Sequence, residues 1–323
     1  MKRFAASIAF GAAALAWAAQ CLAQPVTLKM GRANAAEENF WLMEARPDIT
    51  PNQNKVYRLE ITPFRASDAT FRAFEAGQID GGTASANAVL TAAAKGLDMR
   101  VVASLSMEAN GGSVTQYMVK DDAPIKTIAD LKGKTIGIVG YRSSIELWAR
   151  AALAKGGLNP DKDVSWAVVP FPAMGGALRS GKVDVAGMPQ VFSEPEAAKG
   201  GLRTLFTSKT GVPFDEELIL IIMRPEIIKK HPGAVRAFLA DLASATKWYL
   251  ANPREAKQAL VDKKIVGLAP EAYFKLPDYK RDPAARPNLK SLEQMQEVLV
   301  AHGFLERKSD LSKVVDLSLS PAN

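Results

Sequence analysis

Three arginines stand just beyond strand-like runs: Arg32 after residues 26–31, Arg65 after 55–62 and Arg142 after 135–140. A guanidinium is a planar fork that grips a carboxylate or sulfonate with two parallel N–H groups. Ser67, Ser85, Asn87, Ser143 and Ser144 stand where helices are expected to begin, and a helix start offers unpaired N–H groups and partial positive charge. Singly, each arginine also fits an exposed charge or an ion pair with a nearby Glu. Together in equivalent places they point to an anionic ligand. Trp41 and Tyr141 follow the same loops with polar neighbours and would suit an aromatic wall, whereas Phe64, Phe171 and Phe192 read as core or loop anchors.

Catalytic groups are sparse. The two histidines, His231 and His302, lie in a helical carboxy-terminal region, beside Pro and Gly. No HExxH, Walker A loop or GxSxG elbow occurs, and no catalytic residue, metal or cofactor is expected. Asp80 and Asp184 form a possible carboxylate pair, but each opens a strand, at the end away from the expected crevice, where a turn role fits better. Asp215, Glu216 and Glu217 read as a solvated acidic loop.

The elements that position these residues are announced by a repeat. AFEAGQIDGGTASANAVLTAAAKG (73–96) returns 104 positions later as ALRSGKVDVAGMPQVFSEPEAAKG (177–200), matching Gly77 with Gly181, Asp80 with Asp184 and Gly96 with Gly200. With the upstream echo each copy spans about a hundred residues, longer than the roughly 20 to 50 of a solenoid repeat. Two similar α/β lobes facing each other make a cleft. Strands alternate with helices up to Met223, which predicts mainly parallel sheets with covered faces. Val56, Leu59 and Ile61 are candidates for the inner face of the second strand. In such sheets ligands bind beyond the carboxyl ends of the strands. Six loops qualify: 31–39, 64–68, 82–87, 140–144, 171–175 and 187–193.

Lys2 and Arg3, an apolar run and Cys21-Leu22-Ala23 have the layout of a secretory signal, with cleavage expected after Ala23. An uncleaved anchor is the alternative, though the run falls short of the roughly 20 residues that span a bilayer. A lipidated Cys21 is a third reading, against which Gln20 stands where a small residue is wanted. Cys21 is the single cysteine, so the body from Gln24 has neither disulfide nor thiol chemistry. Without Lys2 and Arg3 the net charge falls from +7 to +5, with no basic block that would suit nucleic acid or lipid. The 300 residues from Gln24 suffice for two domains with real cores.

AFEAGQIDGG, IKTIADLKGKTIGI (125–138), GALRSGKVDVAG, HPGAVRAFL and ATKWYLANPREA together resemble the nitrate, sulfonate and taurine class of periplasmic solute-binding proteins of ABC transporters. The resemblance covers nearly all of the body and implies a type II periplasmic-binding-protein fold. Lobe I would be 26–114 with 219–323, lobe II 115–218, and the crossings near 114–117 and 214–219 the hinge. It further implies a periplasmic monomer that passes a small organic anion to a permease and ATPase. Arg32, Asn34, Ser67, Thr83, Ser85, Arg142, Ser143 and Gln190 would hold the ligand, joined by Arg65, Asn87, Trp41 and Tyr141 from the reading of the loops. The aromatic loops favour a sulfonate, an aromatic carboxylate or a dicarboxylate such as a phthalate. Ala88 and Val89 replace a Pro found in many relatives, and Met188-Pro189-Gln190 replaces a frequent aromatic; these departures bear on ligand identity. The competing readings are an enzyme resembling pyrimidine-precursor synthases on the same fold and a ligand-sensing domain.

Overall fold

The computed structural model describes residues 24–33, 35–64 and 67–321. The expected signal segment 1–23, Asn34 and Arg65 lie outside the described residues.

Ten strands build two sheets: β1 (Val26–Arg32), β2 (Tyr57–Pro63), β3 (Gly81–Ser85), β4 (Arg100–Glu108), β5 (Gln116–Lys120), β6 (Thr135–Ile138), β7 (Ser165–Val168), β8 (Val185–Met188), β9 (Leu202–Thr207) and β10 (Glu216–Met223). Helices α1 (Glu38–Ala45), α2 (Ser67–Glu75) and α3 (Ala86–Ala94) belong with the first sheet. The second carries α4 (Ser144–Lys155), α5 (Phe171–Arg179), α6 (Gln190–Ala198) and α7 (Ser208–Gly211). Then come α8 (Pro225–Lys230), α9 (Pro232–Ala251), α10 (Pro253–Asp262), α11 (Pro270–Lys275), α12 (Leu289–Ala301) and α13 (Leu311–Val314). Proline opens four of these last six in their first turn, where its missing N–H costs nothing.

The sheets share one topology, β2-β1-β3-β10-β4 and β7-β6-β8-β5-β9. In each, four strands run one way and the fourth in order, β10 or β5, is antiparallel to both neighbours. Each reversed strand directly follows a crossing from the other lobe, so the chain passes between the lobes twice. The sheets are thus mixed rather than wholly parallel. The second half of β10, Leu220–Met223, is fully buried, as an apolar run between two strands and two helical layers should be. Gly81 is required beside it: a Cβ there would lie 2.6 Å from the Ile222 carbonyl oxygen.

The repeated residues are the frame. Gly77 and Gly181 turn the chain at φ +72° and +76°. Asp80 Oδ2 then accepts from the Lys29 N–H and Asp184 Oδ2 from the Thr135 N–H, each at 2.8 Å, tying the entry of β3 or β8 to its neighbour. Both carboxylates are structural.

Three local expectations change. Val56 precedes β2 and is exposed; Tyr57 takes the buried place, with Leu59 and Ile61 on its face. The loops expected at 82–87, 171–175 and 187–193 are strand ends joined almost directly to the first turns of α3, α5 and α6. Glu216 and Glu217 are not solvated: both are 1% exposed at the start of β10, where carboxylates are tolerated because Lys209, Ser104 and the Asn288 N–H bond them.

Candidate functional site

A cavity of about 360 Å³ opens between the lobes. The first lobe supplies Ala35, Ala36, Glu38 and Trp41 from the end of β1 through α1, and the crossing supplies Ser113. Gln190, Val191 and Phe192 enter from the first turn of α6. The rest comes from the carboxy-terminal region: Lys257 on α10, residues 265–268, Tyr273 on α11, and Leu276 through Tyr279. Phe192 is braced by Phe171, the rings stacked at 5.1 Å and 22°.

Charges in and behind the wall are paired. Glu38 accepts from Arg281 Nη2, and that guanidinium lies 4.6 Å over the Tyr249 ring. Lys257 Nζ donates to the Leu276 carbonyl oxygen at 2.9 Å, sits 3.4 Å from Asp278 Oδ2 and approaches the Tyr273 ring at 5.6 Å. Tyr249 donates its hydroxyl to the other Asp278 oxygen at 2.6 Å. By contrast Gln190 Oε1 and the Tyr273 hydroxyl are buried with no hydrogen-bond partner among the described residues. A buried polar atom left unpaired costs roughly 1–3 kcal/mol, so both favour a ligand that supplies the partner. Behind Trp41, Glu37 is fully buried and burial pushes its carboxyl up to about 8, against the pull of Thr83, the Ala33 N–H, Trp41 and Arg32.

Of the residues expected to hold ligand, Trp41 and Gln190 line this cavity. The others that the structure describes lie outside the lining, each with a protein partner or in solvent. Arg32 pairs with Glu44 at 3.5 Å. Thr83 is buried and accepts from the Ala33 N–H at 3.1 Å; Ser67 accepts from the Ser85 N–H at 3.0 Å. Asn87 donates across to Ser144 Oγ at 2.9 Å. Arg142 donates to the carbonyl oxygens of Gly303 and Phe304 at 3.1 and 3.0 Å. Ser143 caps α4, accepting from the Glu146 N–H at 3.3 Å, and Tyr141 is 62% exposed. Lys257, Tyr273 and Asp278 escaped sequence reasoning, since they sit in a helical region with no strand to mark a crevice. The Pro277 break and the clustered Tyr273, Phe274 and Tyr279 were the available signal.

Beside the cavity the two crossings, 109–115 and 212–215, are stapled together. Glu108 and Glu216 face each other in the β4–β10 register. Glu108 Oε1 accepts from the Thr115 N–H and hydroxyl at 3.1 and 2.6 Å, spanning the first crossing. Lys209 Nζ bonds Glu216 Oε1 at 2.9 Å, spanning the second, and Asn110 Nδ2 reaches the Pro213 carbonyl oxygen at 3.2 Å. Burial pushes Glu216 up to about 7, aided by Glu108 and opposed by Lys209. Burial likewise pushes Glu217 up to about 7, against its bonds to the Asn288 N–H and Ser104.

Similarity to known proteins fits this architecture. Over 155 residues, 46% of this chain, the sequence is 32% identical to the nitrate/nitrite binding protein NrtA of Nostoc sp., covering 34% of that protein. Over 183 residues, 54% of this chain, it is 30% identical to the riboflavin-binding protein RibY of Chloroflexus aurantiacus, covering 48% of that one. The matched stretch thus spans about a third to a half of these curated relatives. The periplasmic aliphatic sulphonate binding protein SsuA of Escherichia coli superposes with a TM-score of 0.72 over 90% of this chain and 91% of that one, at 19% identity. That likeness is one of fold: the two lobes have the periplasmic-binding-protein fold. A family model described as NMT1/THI5 like matches residues 58–256, more than half of the chain and the strands from β2 to β10, and the chain belongs to the NMT1/THI5-like family.

Proposed function

We propose that this protein is the solute-binding component of an ABC importer, a periplasmic monomer that encloses a small ligand between its lobes and presents it to a permease and ATPase. Residues 26–114 with 219–323 move as one lobe and 115–218 as the other, about the stapled crossings. The ligand is an organic anion with a planar ring, an aromatic carboxylate or sulfonate. The observation that carries this reading is the cavity itself: both lobes contribute wall, its sides include Trp41, Phe192, Tyr273 and Tyr279, and Lys257 is its lining cation. An ammonium has three N–H groups; Lys257 directs one to Leu276 and faces Asp278 with another, leaving one for an anionic group in the cavity. Trp41, Gln190, Lys257 and Tyr273 are the proposed contacts. The proposed role is capture and delivery, without chemistry on the ligand.

A second reading is an uncharged planar heterocycle. It is favoured by the pairing of Glu38 with Arg281 and of Lys257 with Asp278, which leaves the wall near neutral. Titration calorimetry against benzoate, phthalates, aryl and alkyl sulfonates, taurine, nitrate and an aminopyrimidine separates the two. Heat from aromatic anions is expected; heat from the aminopyrimidine alone would replace the first reading by the second, and heat from none would overturn both.

A further inference from the structure

The loop ahead of α4 joins the lobes at a place the cavity does not touch. Arg142, in the second lobe, reaches over to the carbonyl oxygens of Gly303 and Phe304 beyond α12, and its guanidinium carbon lies 5.6 Å from the centroid of the Phe304 ring. Two residues on, Ser144 accepts from Asn87 of the first lobe. Leu147 of α4 is 1% exposed in one core with Leu299, Phe304 and Leu305 of the first lobe. None of these residues is in the cavity wall.

The loop is held in this shape at a cost. Arg142 has φ +60°, a left-handed conformation that a side chain with a Cβ rarely adopts and that persists only where surrounding bonds impose it. Glu146 imposes it: its carboxylate accepts from the Arg142 N–H at 2.5 Å and is anchored by Arg150 at 2.7 Å. Glu146 is 3% exposed, so the loop is set by a buried group while its guanidinium is aimed across the gap.

We infer that the loop 141–144 is an interlobe latch with Arg142 as its positioning residue, holding the lobes together through contacts the ligand does not share. A two-state protein responds to a ligand according to how well each state binds it and how much of the competent state is already present. Bonds between the lobes alone raise the closed fraction for any ligand, so the latch sets affinity without setting specificity. This inference rests on the reading of the two lobes as mobile about the crossings, but not on the identity of the ligand.

The test measures the gap directly. Lys95 of the first lobe and Lys162 of the second are exposed, and Cys21 is the single native cysteine. With Cys21→Ser, Lys95→Cys and Lys162→Cys in place, spin labels report the interlobe distance by pulsed electron resonance with no ligand added. The parent protein is expected to give one narrow distance. Arg142→Ala should add a population at a different distance, and Arg142→Lys, whose single ammonium can still reach one carbonyl, should fall between. Arg142→Gly removes the same bonds while relieving the φ cost, so it should shift the distance as Arg142→Ala does even if it melts no lower. An unchanged distance in both Arg142→Ala and Arg142→Gly, with folding confirmed by circular dichroism, would overturn the latch. Calorimetry on the parent protein tests the importer reading separately, so one can fail while the other stands.

Discussion

Lys257 and Glu37 carry charge-bearing groups into places where water is scarce, and each makes a distinct prediction. Lys257→Met keeps the apolar stem and removes the ammonium; binding of an aromatic carboxylate or sulfonate should weaken by about 1.5–3 kcal/mol, the worth of a charge-assisted hydrogen bond. Calorimetry checks this, and unchanged affinity would remove Lys257 from the proposed contacts. Glu37, Glu216 and Glu217 have folded-state values near 8, 7 and 7 against an ordinary 4.5, because burial disfavours the carboxylate. The folded protein therefore holds protons that the unfolded chain releases. Their contribution to stability is complete below about pH 4.5 and is lost as pH rises through 7 to 8. Thermal melts should show a midpoint that falls between about pH 4.5 and 8, and Glu37→Gln should flatten the upper part of that fall. A midpoint that rises over this range would contradict the assignment.

The elements meet where their smallest residues allow. In α7, a Cβ on Gly211 would lie 2.4 Å from the backbone nitrogen of Ala152 and 2.6 Å from the backbone carbon of Ala151, so α7 lies directly on α4. Backbone cannot step aside as a side chain can, and Gly211→Ala should cost about 1–3 kcal/mol by urea unfolding. Gly176, within α5, has nothing within 4 Å of such a Cβ. There the substitution to Ala should stabilise by about 0.4–1 kcal/mol, since it reduces the freedom of the unfolded chain. The pair tests whether close approach, rather than helix propensity, governs the second lobe. At this scale much was legible beforehand: the long helices after Met223, the buried run at β6 and the turns at Gly77 and Gly181 are local patterns. The acidic stretch before β10 was not, because Lys209, Ser104 and Asn288, which make its burial tolerable, come from three separate elements.

At the scale of the molecule, two sheets of one topology are joined by two stapled crossings, and the cavity draws on both lobes. A ligand that binds only this assembled state must stabilise the whole fold. At a free concentration of one hundred times its dissociation constant the gain is about 2.7 kcal/mol, read as a rise in melting temperature. Screening aromatic carboxylates, sulfonates and uncharged heterocycles by that rise should single out the class that calorimetry then ranks. A calorimetric binder that leaves the melting temperature unmoved at that concentration would not be binding the folded state preferentially.

The amino-acid sequence alone determined the α/β alternation, the repeated frame of Gly and Asp at the strand entries and the family, because each rests on residues close in the chain whose backbone needs are local. It also singled out Trp41, in the helix that follows β1, and Gln190, two residues beyond β8. Only the tertiary structure decided which partners Arg32 and Arg142 take. Arg32 turns to Glu44 and Arg142 to the carbonyls beyond α12, partners that spacing cannot disclose. Only it could bring Lys257 and Tyr273, more than two hundred residues beyond Trp41, to the same wall. A side chain's chemistry is written at its position, but its partner is set by where the rest of the chain comes to lie.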